Sequence, residues 1–507
     1  MQSADILKQN IEKLAELFPS CVSEGKVNFD AFKQLFSDKI IDGDEAYNFT
    51  WVGKKAAVVE AHTPIRKTLR PCVEESVNWD TTENLYIEGD NLEVLKLLQE
   101  SYLGKVKMIY IDPPYNTGND FIYRDKFSAT EEEYDEDNGV YNENEDRLFK
   151  NTDSNGRFHS DWCSMIYSRL LLARNLLADD GVIFISIDDN EQSNLKSICD
   201  EVFGDRNFVT QLVWEKKKKG AFLSKNYINM KEYLIVYAKN NINFSGLVGE
   251  INESKETYPC IKTTNPRGIR IIRKGTPSKF KDKDYKISKN TRISAGNMEL
   301  IYLDELIVKD GILQNDVRID SNWIYGQDKL DLFYEENSLY ITQDNYIRRN
   351  VTETRIKMLK DLLLRVGTDG KSEGKYKYDK NLNNGGWGTN EDANDELHNI
   401  FYKQYIFDFS KPSRLISKLI QTIYKENFIV LDFFSGSATT AHAVMQLNAE
   451  DSGNRKFIMV QIPEETDPKS EAFKAGYKNI CEIGKERIRR AGKKIKEKEQ
   501  NTLLPPP

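Results

Sequence analysis

Cysteine is scarce and scattered. Cys21, Cys72, Cys163, Cys199, Cys260 and Cys481 stand far apart among 507 residues, with no C-x-x-C pair. That pattern implies reduced thiols in a cytoplasmic protein and argues against a zinc site, so no metal is expected. Long apolar runs are missing too. None could span a bilayer, and the opening residues Met1–Asp5 are polar, so neither a membrane segment nor a signal peptide is expected. Nor does positive charge dominate: the formal net charge is −8. That balance points to no nucleic-acid partner, although a global sum can hide a basic face. A hydrophobic content of 39% is ample for a core and excludes wholesale disorder. The length implies two or three domains or one large elaborated one.

What is present centres on one stretch. Val106, Met108 and Ile109-Tyr110-Ile111 read as a buried parallel strand. Asp112-Pro113-Pro114-Tyr115 then stops it, because two prolines remove two N–H donors and fix φ. A carboxylate, a rigid turn and an aromatic ring therefore lie just past the carboxyl end of a strand, where open α/β sheets bind ligands. This turn suits attack by a poorly nucleophilic exocyclic amino group. Asp112 accepts one N–H and balances the growing positive charge, the Pro113 carbonyl accepts the other, and Tyr115 stacks on a base that has left its duplex. Alone, the four residues are equally a mere rigid turn.

Around this centre the chain alternates strand and helix. Residues 1–50 carry helical spacing at Ile6, Ile11, Leu14 and Leu17, then at Phe29, Phe32, Leu35 and Phe36. Residues 51–80 read as an irregular loop with Lys54, Lys55, Arg66, Lys67 and Arg70. Asn84–Asp90 is a strand, Asn91–Leu98 a helix, and Asp90 at the strand's end is an N-cap, a ligand contact, or both. An acidic stretch, Glu131–Asp146, reads as an exposed loop, and His159–Trp162 as a helix cap. Asp179-Asp180-Gly181 is a turn before the strand Val182–Ile187, and strands follow at Val209–Trp214 and Glu232–Tyr237. From 241 to 395 periodicity weakens. There Lys262, Arg267, Arg270, Arg273, Lys274 and neighbouring lysines form a basic island, read either as phosphate-binding or as a solvated loop. Phe428–Leu431 is a second strand that ends in Asp432-Phe433-Phe434-Ser435-Gly436-Ser437-Ala438-Thr439, a small-residue turn opening a helix. Phe457–Ile462 follows, with Glu464 beyond its end, where nucleoside-binding sheets hold a ribose diol.

Together these motifs resemble the modification (Mod) subunits of type III restriction-modification systems, which are β-group adenine-N6 DNA methyltransferases. The resemblance runs from about Tyr47 to Arg490. It rests on Tyr86–Leu92, Ile109–Tyr123, His159–Trp162, Gly181–Asp189 and Leu431–Val444. It implies an α/β fold: a doubly wound, mostly parallel, circularly permuted Rossmann-like sheet with an inserted target-recognition domain and an N-terminal helical extension. Numbered as in a doubly wound sheet, the first strand would be 428–431, the second 457–462, the third 85–87, the fourth 106–111 and the fifth 182–187, which makes the first and fourth neighbours at the switch point. The domains would be an extension and arm (1–80), a catalytic half (81–240), a DNA-recognition domain (241–395), a cofactor half (396–484) and a basic tail (485–507).

The resemblance implies S-adenosyl-L-methionine as cofactor, duplex DNA as substrate, and a restriction (helicase–nuclease) subunit and a second copy as partners. Asp112, Pro113, Pro114 and Tyr115 would meet the flipped adenine, with Asn116 and Phe121 beside them. Asp432, Phe433, Phe434, Gly436 and Thr439 would line the cofactor, Glu464 would take its ribose, Asp90 its adenine and Lys411 its methionine end. The basic island would contact DNA. Cytosine-N4 methylation, or DNA recognition without methylation, are the alternatives. Two departures stand out. Ala438 replaces a customary glycine, which requires a negative φ there, and Lys231 replaces a frequent histidine and receives no role. Related chains also continue past the equivalent of Arg490 into a segment associated with assembly.

Overall fold

The computed structural model describes residues 6–23, 26–29, 49–118, 121–123, 148–150, 156–220, 226–253, 256–295, 298–351, 353–372, 378–402 and 404–503. The helical pattern after Phe29 and the acidic stretch 131–146 lie outside them. Two compact units result, one comprising Met1–Glu250 with Met358–Pro507, the other Ile251–Lys357.

The larger unit is built on eight strands: β1 (Leu85–Glu88), β2 (Val106–Ile111), β3 (Leu177–Ile187), β4 (Phe208–Glu215), β5 (Lys231–Ala238), β6 (Leu362–Leu363), β7 (Ile429–Asp432) and β8 (Lys456–Gln461). Their spatial order is β6-β4-β5-β3-β2-β7-β8-β1. The five strands β1, β8, β7, β2 and β3 are mutually parallel, while β5 runs antiparallel to both β3 and β4. The five parallel strands thus stand in the order that the resemblance implied. The crossovers are α1 (Asn91–Tyr102), α2 (Phe158–Leu176), α3 (Gln192–Phe203), α5 (Ser413–Gln421) and α6 (Thr439–Asp451), with α4 (Asn390–Ile400) and α7 (Ile480–Leu503) added.

Alternation along β2 makes the layers. Ile109 and Ile111 pack with Leu95, Met165 and Ile198 on one face. Met108 and Tyr110 pack with Leu419 and Val444 on the other. Every β2 residue is buried, as a strand covered by helices on both faces must be. Three local expectations change. Residues Lys54–His62 form a helix inside the stretch read as a loop. Phe158, not His159, opens α2. Asp179-Asp180-Gly181 stays within β3, as a displacement in its register with β2: Val106 pairs with Leu177 and Met108 with Val182.

The smaller unit is antiparallel and made of short strands. Arg267–Ile272, Val317–Asn322, Met298–Tyr302 and Arg292–Ala295 form its four-stranded sheet. A helix, Gln327–Glu335, and a core including Ile272, Leu300, Ile319 and Leu330 complete it. Its boundaries, 251 and 357, are narrower than the weak-periodicity segment 241–395, because Leu362 and Leu363 return to pair with β4 in the large sheet.

Candidate active site

β2 and β7 lie side by side and parallel, so Asp112 and Asp432 end neighbouring strands at the same edge. This is the point where the chain leaves in opposite directions and a crevice opens. The Asp-Pro-Pro-Tyr turn is pinned from below: Trp162 Nε1 donates to the Pro114 carbonyl at 2.7 Å. Asn116 turns inward. At φ +59 its amide donates to Glu191 Oε1 at 2.6 Å, and the residue is buried. Its side chain therefore holds the turn, and asparagine tolerates the left-handed conformation found there. Phe121 opens a two-stranded hairpin with Leu148–Lys150, and its side chain lies outside the described residues.

A charged cluster surrounds Asp112. Lys411 Nζ lies 2.7 Å from both Asp112 oxygens and 2.9 Å from the Tyr115 hydroxyl. Tyr115 Oη lies 2.8 Å from Asp112 Oδ1 and 3.1 Å from Glu232 Oε2, able to donate to either. Glu232 Oε1 accepts from Lys216 at 2.9 Å. The Tyr115 ring has the Lys411 ammonium 5.0 Å from its centroid. Burial raises the Asp112 carboxyl, with Lys411 opposing and Glu232 adding to the rise. Burial works against the Lys411 charge, but Asp112 and Glu232 outweigh it and hold the ammonium above its usual range. Lys411, expected at a methionine end, thus also bonds Asp112. Glu232 carried no signal beyond being one acidic residue at the start of an apolar strand.

The second turn is closed by its own atoms. Asp432 accepts from the Phe434 N–H at 3.1 Å and the Thr440 hydroxyl at 2.6 Å, and burial pushes its carboxyl up to about 7. Gly436, at φ +50, donates its N–H to Gln461 Oε1 at 2.7 Å. Ala438 has φ +62 and ψ +39, the reverse of the negative φ expected. The left-handed position opening α6 is occupied by an L-residue at a cost of roughly 1–2 kcal/mol. Such strain persists only where surrounding structure holds it.

Two buried arginines supply that hold. Arg487 on α7 donates from Nη1 to Thr439, Ser437 and Ser410 at 2.7, 2.8 and 3.0 Å. Arg169 on α2 donates to Asn91 Oδ1, while Asn91 Nδ2 donates to the Phe433 carbonyl at 2.7 Å. Asp90 caps α1 through the Glu93 N–H. Neither arginine stood out in the sequence: Arg487 sits among other charges on its helix, and Arg169 is one cation in an apolar run. Glu464 lies beyond β8, raised by burial, with no side-chain hydrogen bond among the described residues. Lys231 pairs with Asp189 at 2.6 Å.

In the smaller unit the basic island divides. Arg267 pairs with Glu299 at 2.9 Å and Asp320 at 3.1 Å, Arg273 with Asp331 and Asp316, and Arg292 with Glu299. These arginines brace neighbouring elements of their own unit. Arg270 bonds backbone carbonyls at Tyr325 and Ile269. Lys262 and Lys274 are exposed.

A parallel sheet whose neighbouring strand ends carry an Asp-Pro-Pro-Tyr turn and a small-residue helix turn defines an amino-group methylase of the doubly wound class. The comparisons specify which. Residues 106–468 match the family model described as DNA methylase. The Mod subunit of the type III restriction-modification enzyme StyLTI of Salmonella typhimurium is 32% identical over 481 residues, 94% of this chain and 67% of that one. The EcoP15I Mod subunit of Escherichia coli is 33% identical over 518 residues, 97% of this chain and 77% of that one. The type II methyltransferase M.KpnI of Klebsiella pneumoniae is 29% identical over 417 residues, 80% and 86% of the two chains. The chain belongs to the DNA methylase family, among the Mod subunits of type III restriction-modification enzymes. No helix of the described residues is long and apolar enough to cross a membrane.

Proposed function

We propose that the chain transfers a methyl group from S-adenosylmethionine to the N6 amino group of an adenine flipped out of duplex DNA, at a specific sequence. The carrying observation is that Asp112 and the Asp432–Thr440 turn end adjacent parallel strands, so both face one crevice. The residues fit the cofactor. Glu464 is a half-buried carboxylate without a donor among the described residues, as a ribose diol requires. At φ +50 Gly436 holds a backbone conformation that L side chains rarely adopt, and a Cβ there would make only ordinary contact with Phe407 at 3.5 Å. Bound there, the cofactor supplies a methyl group on a sulfonium.

The chain's own residues act on the amino group. Asp112 accepts one N–H and opposes the developing positive charge, and the Pro113 carbonyl accepts the other. Trp162 keeps that carbonyl aimed by holding the next one. Tyr115 contributes its ring to the extruded base. Aspartate rather than serine before Pro-Pro-Tyr favours adenine over cytosine. The exposed lysines of the smaller unit, among them Lys262 and Lys274, meet phosphate. A restriction helicase–nuclease subunit and a second copy are the protein partners.

The test incubates the purified chain with bacterial DNA and radiolabelled S-adenosylmethionine, then identifies the modified base. Labelled N6-methyladenine at one sequence is expected. Label on cytosine N4 would replace the substrate, and DNA binding without label would leave only recognition.

A further inference from the structure

Asp112 cannot do its work while it is neutralised. Lys411 sits 2.7 Å from both of its oxygens, and that ammonium would oppose positive charge on an incoming amino group. A second carboxylate waits beside it. Glu232 Oε2 is 3.5 Å from Lys411 Nζ, and Glu232 is 6% exposed. Its other oxygen is occupied by Lys216 at 2.9 Å, and although burial works to raise its carboxyl, Lys411 and Lys216 together hold it below the usual range. Two acids and two lysines therefore sum to zero, with Lys411 between the acids.

Resting on the methyl-transfer reading, we propose that Glu232 is a positioning residue for the reaction: it is the second seat of Lys411, drawing the ammonium off Asp112 as the amino group arrives. The shift from 3.5 Å to hydrogen-bonding distance is less than about 1 Å, within reach of lysine's flexible four-carbon stem. Tyr115 fits both arrangements. Its hydroxyl lies 2.8 Å from Asp112 and 3.1 Å from Glu232, so its one proton serves Glu232 while Lys411 holds Asp112, and Asp112 once Lys411 has moved. The site then presents an Asp112 free of its counter-ion, with Oδ2 open to the amino group, only when something is there to use it.

The test is Glu232→Gln in the full chain, which keeps shape and acceptor but loses charge. Single-turnover methyl transfer at saturating cofactor should fall by about 10²-fold, the scale of one lost electrostatic stabiliser, with cofactor and DNA affinity little changed. Adding Glu232→Gln to Lys411→Met should cost almost nothing further, since the two act as one unit. The acid limb of the pH–rate profile should move to lower pH. Around Asp112 stand Lys411, Glu232, Tyr110, Tyr115 and Asp432, and the substitution removes the Glu232 charge that raises Asp112 while leaving the Lys411 charge that lowers it. That shift follows from the lost charge alone, and the absence of further loss in the double variant is the readout a merely structural role would not give. Glu232→Asp should restore part of the rate. Wild-type rates in Glu232→Gln, or losses that multiply in the double variant, overturn the proposal. A wild-type chain without any methyl transfer would instead sink the functional reading on which it rests.

Discussion

Arg487→Met tests the claim that a helix beyond the family-matched region holds the Asp432–Thr440 turn. Arg487 is 0% exposed. Its Nη1 reaches three hydroxyls at 2.7–3.0 Å and its Nη2 reaches Glu396 at 3.3 Å. Nη1 has two protons, so two hydroxyls are served at once. Each hydrogen bond to a charged group is worth about 1.5–3 kcal/mol, but the guanidinium also regains its hydration on unfolding. Breaking one partner of a buried pair typically costs about 3–5 kcal/mol. Glu396 retains His442 at 2.6 Å and the Ser413 N–H at 3.0 Å, so the low end, about 3 kcal/mol, is expected. Chemical denaturation reads it as a lower midpoint, and calorimetry should show weakened cofactor binding as Ser437 and Thr439 lose their anchor. Acid supplies a second reading. Burial works to raise the Glu396 carboxyl, but His442 and Arg487 outweigh it and hold it at about 2. Its stabilisation is therefore complete above the ordinary carboxylate range and is lost as pH falls toward 2. The gap between wild type and Arg487→Met should narrow over that window. A variant within about 0.5 kcal/mol of wild type at neutral pH, the range of inconsequential surface changes, would refute the reasoning.

Asp112→Asn keeps an oxygen acceptor and loses the charge, whereas Asp112→Ala loses both. Single-turnover transfer should drop about 10²–10³-fold in the first and vanish in the second, with cofactor affinity near wild type, and full activity in the alanine variant would end the catalytic assignment. Asp432 has the opposite linkage to Glu396: its folded pKa, about 7, lies above the unfolded value, so the folded chain binds the extra proton and stability falls as pH rises through that window. Asp432→Asn should abolish that slope, gaining on the order of 2 kcal/mol relative to wild type between pH 5 and 8 in denaturation midpoints, and an unchanged slope would contradict it. Replacing Lys274, Lys281 and Lys286 by glutamine should flatten the salt dependence of DNA affinity by about one unit per lost phosphate contact, while Arg267→Gln should instead destabilise its sheet. An unaltered slope would make the lysines a solvated surface.

Much of the site was legible because its signals are local. A strand that meets two prolines must end there, and its last carboxylate must lie at the sheet edge. The Asp432–Thr439 turn was legible for the same reason, as small residues between an apolar run and a helix. The smaller unit was not legible, since strands of two to six residues leave too little periodicity. Ala438 shows the limit most directly: the residue type argues for negative φ, yet the chain holds +62. Arg487, Ser437 and Thr439 hold that turn together across 48 residues of sequence, a distance over which no local preference acts.

The amino-acid sequence alone determined the strands, the helices between them and the two turns, and the resemblance carried by its motifs implied the class of fold and the order of its parallel strands. Hydrophobic alternation and backbone punctuation act over a few residues, and one chirality of crossover assembles them. The tertiary structure alone decided which charges share a site. It seated Lys411 between Asp112 and Glu232, from three segments of the chain. It turned Asn116 inward and spent Arg267 and Arg273 on carboxylates of their own unit. Ionic partners are chosen by proximity in the folded chain, where burial makes an unpaired charge costly, and proximity of that kind is written in no single stretch of sequence.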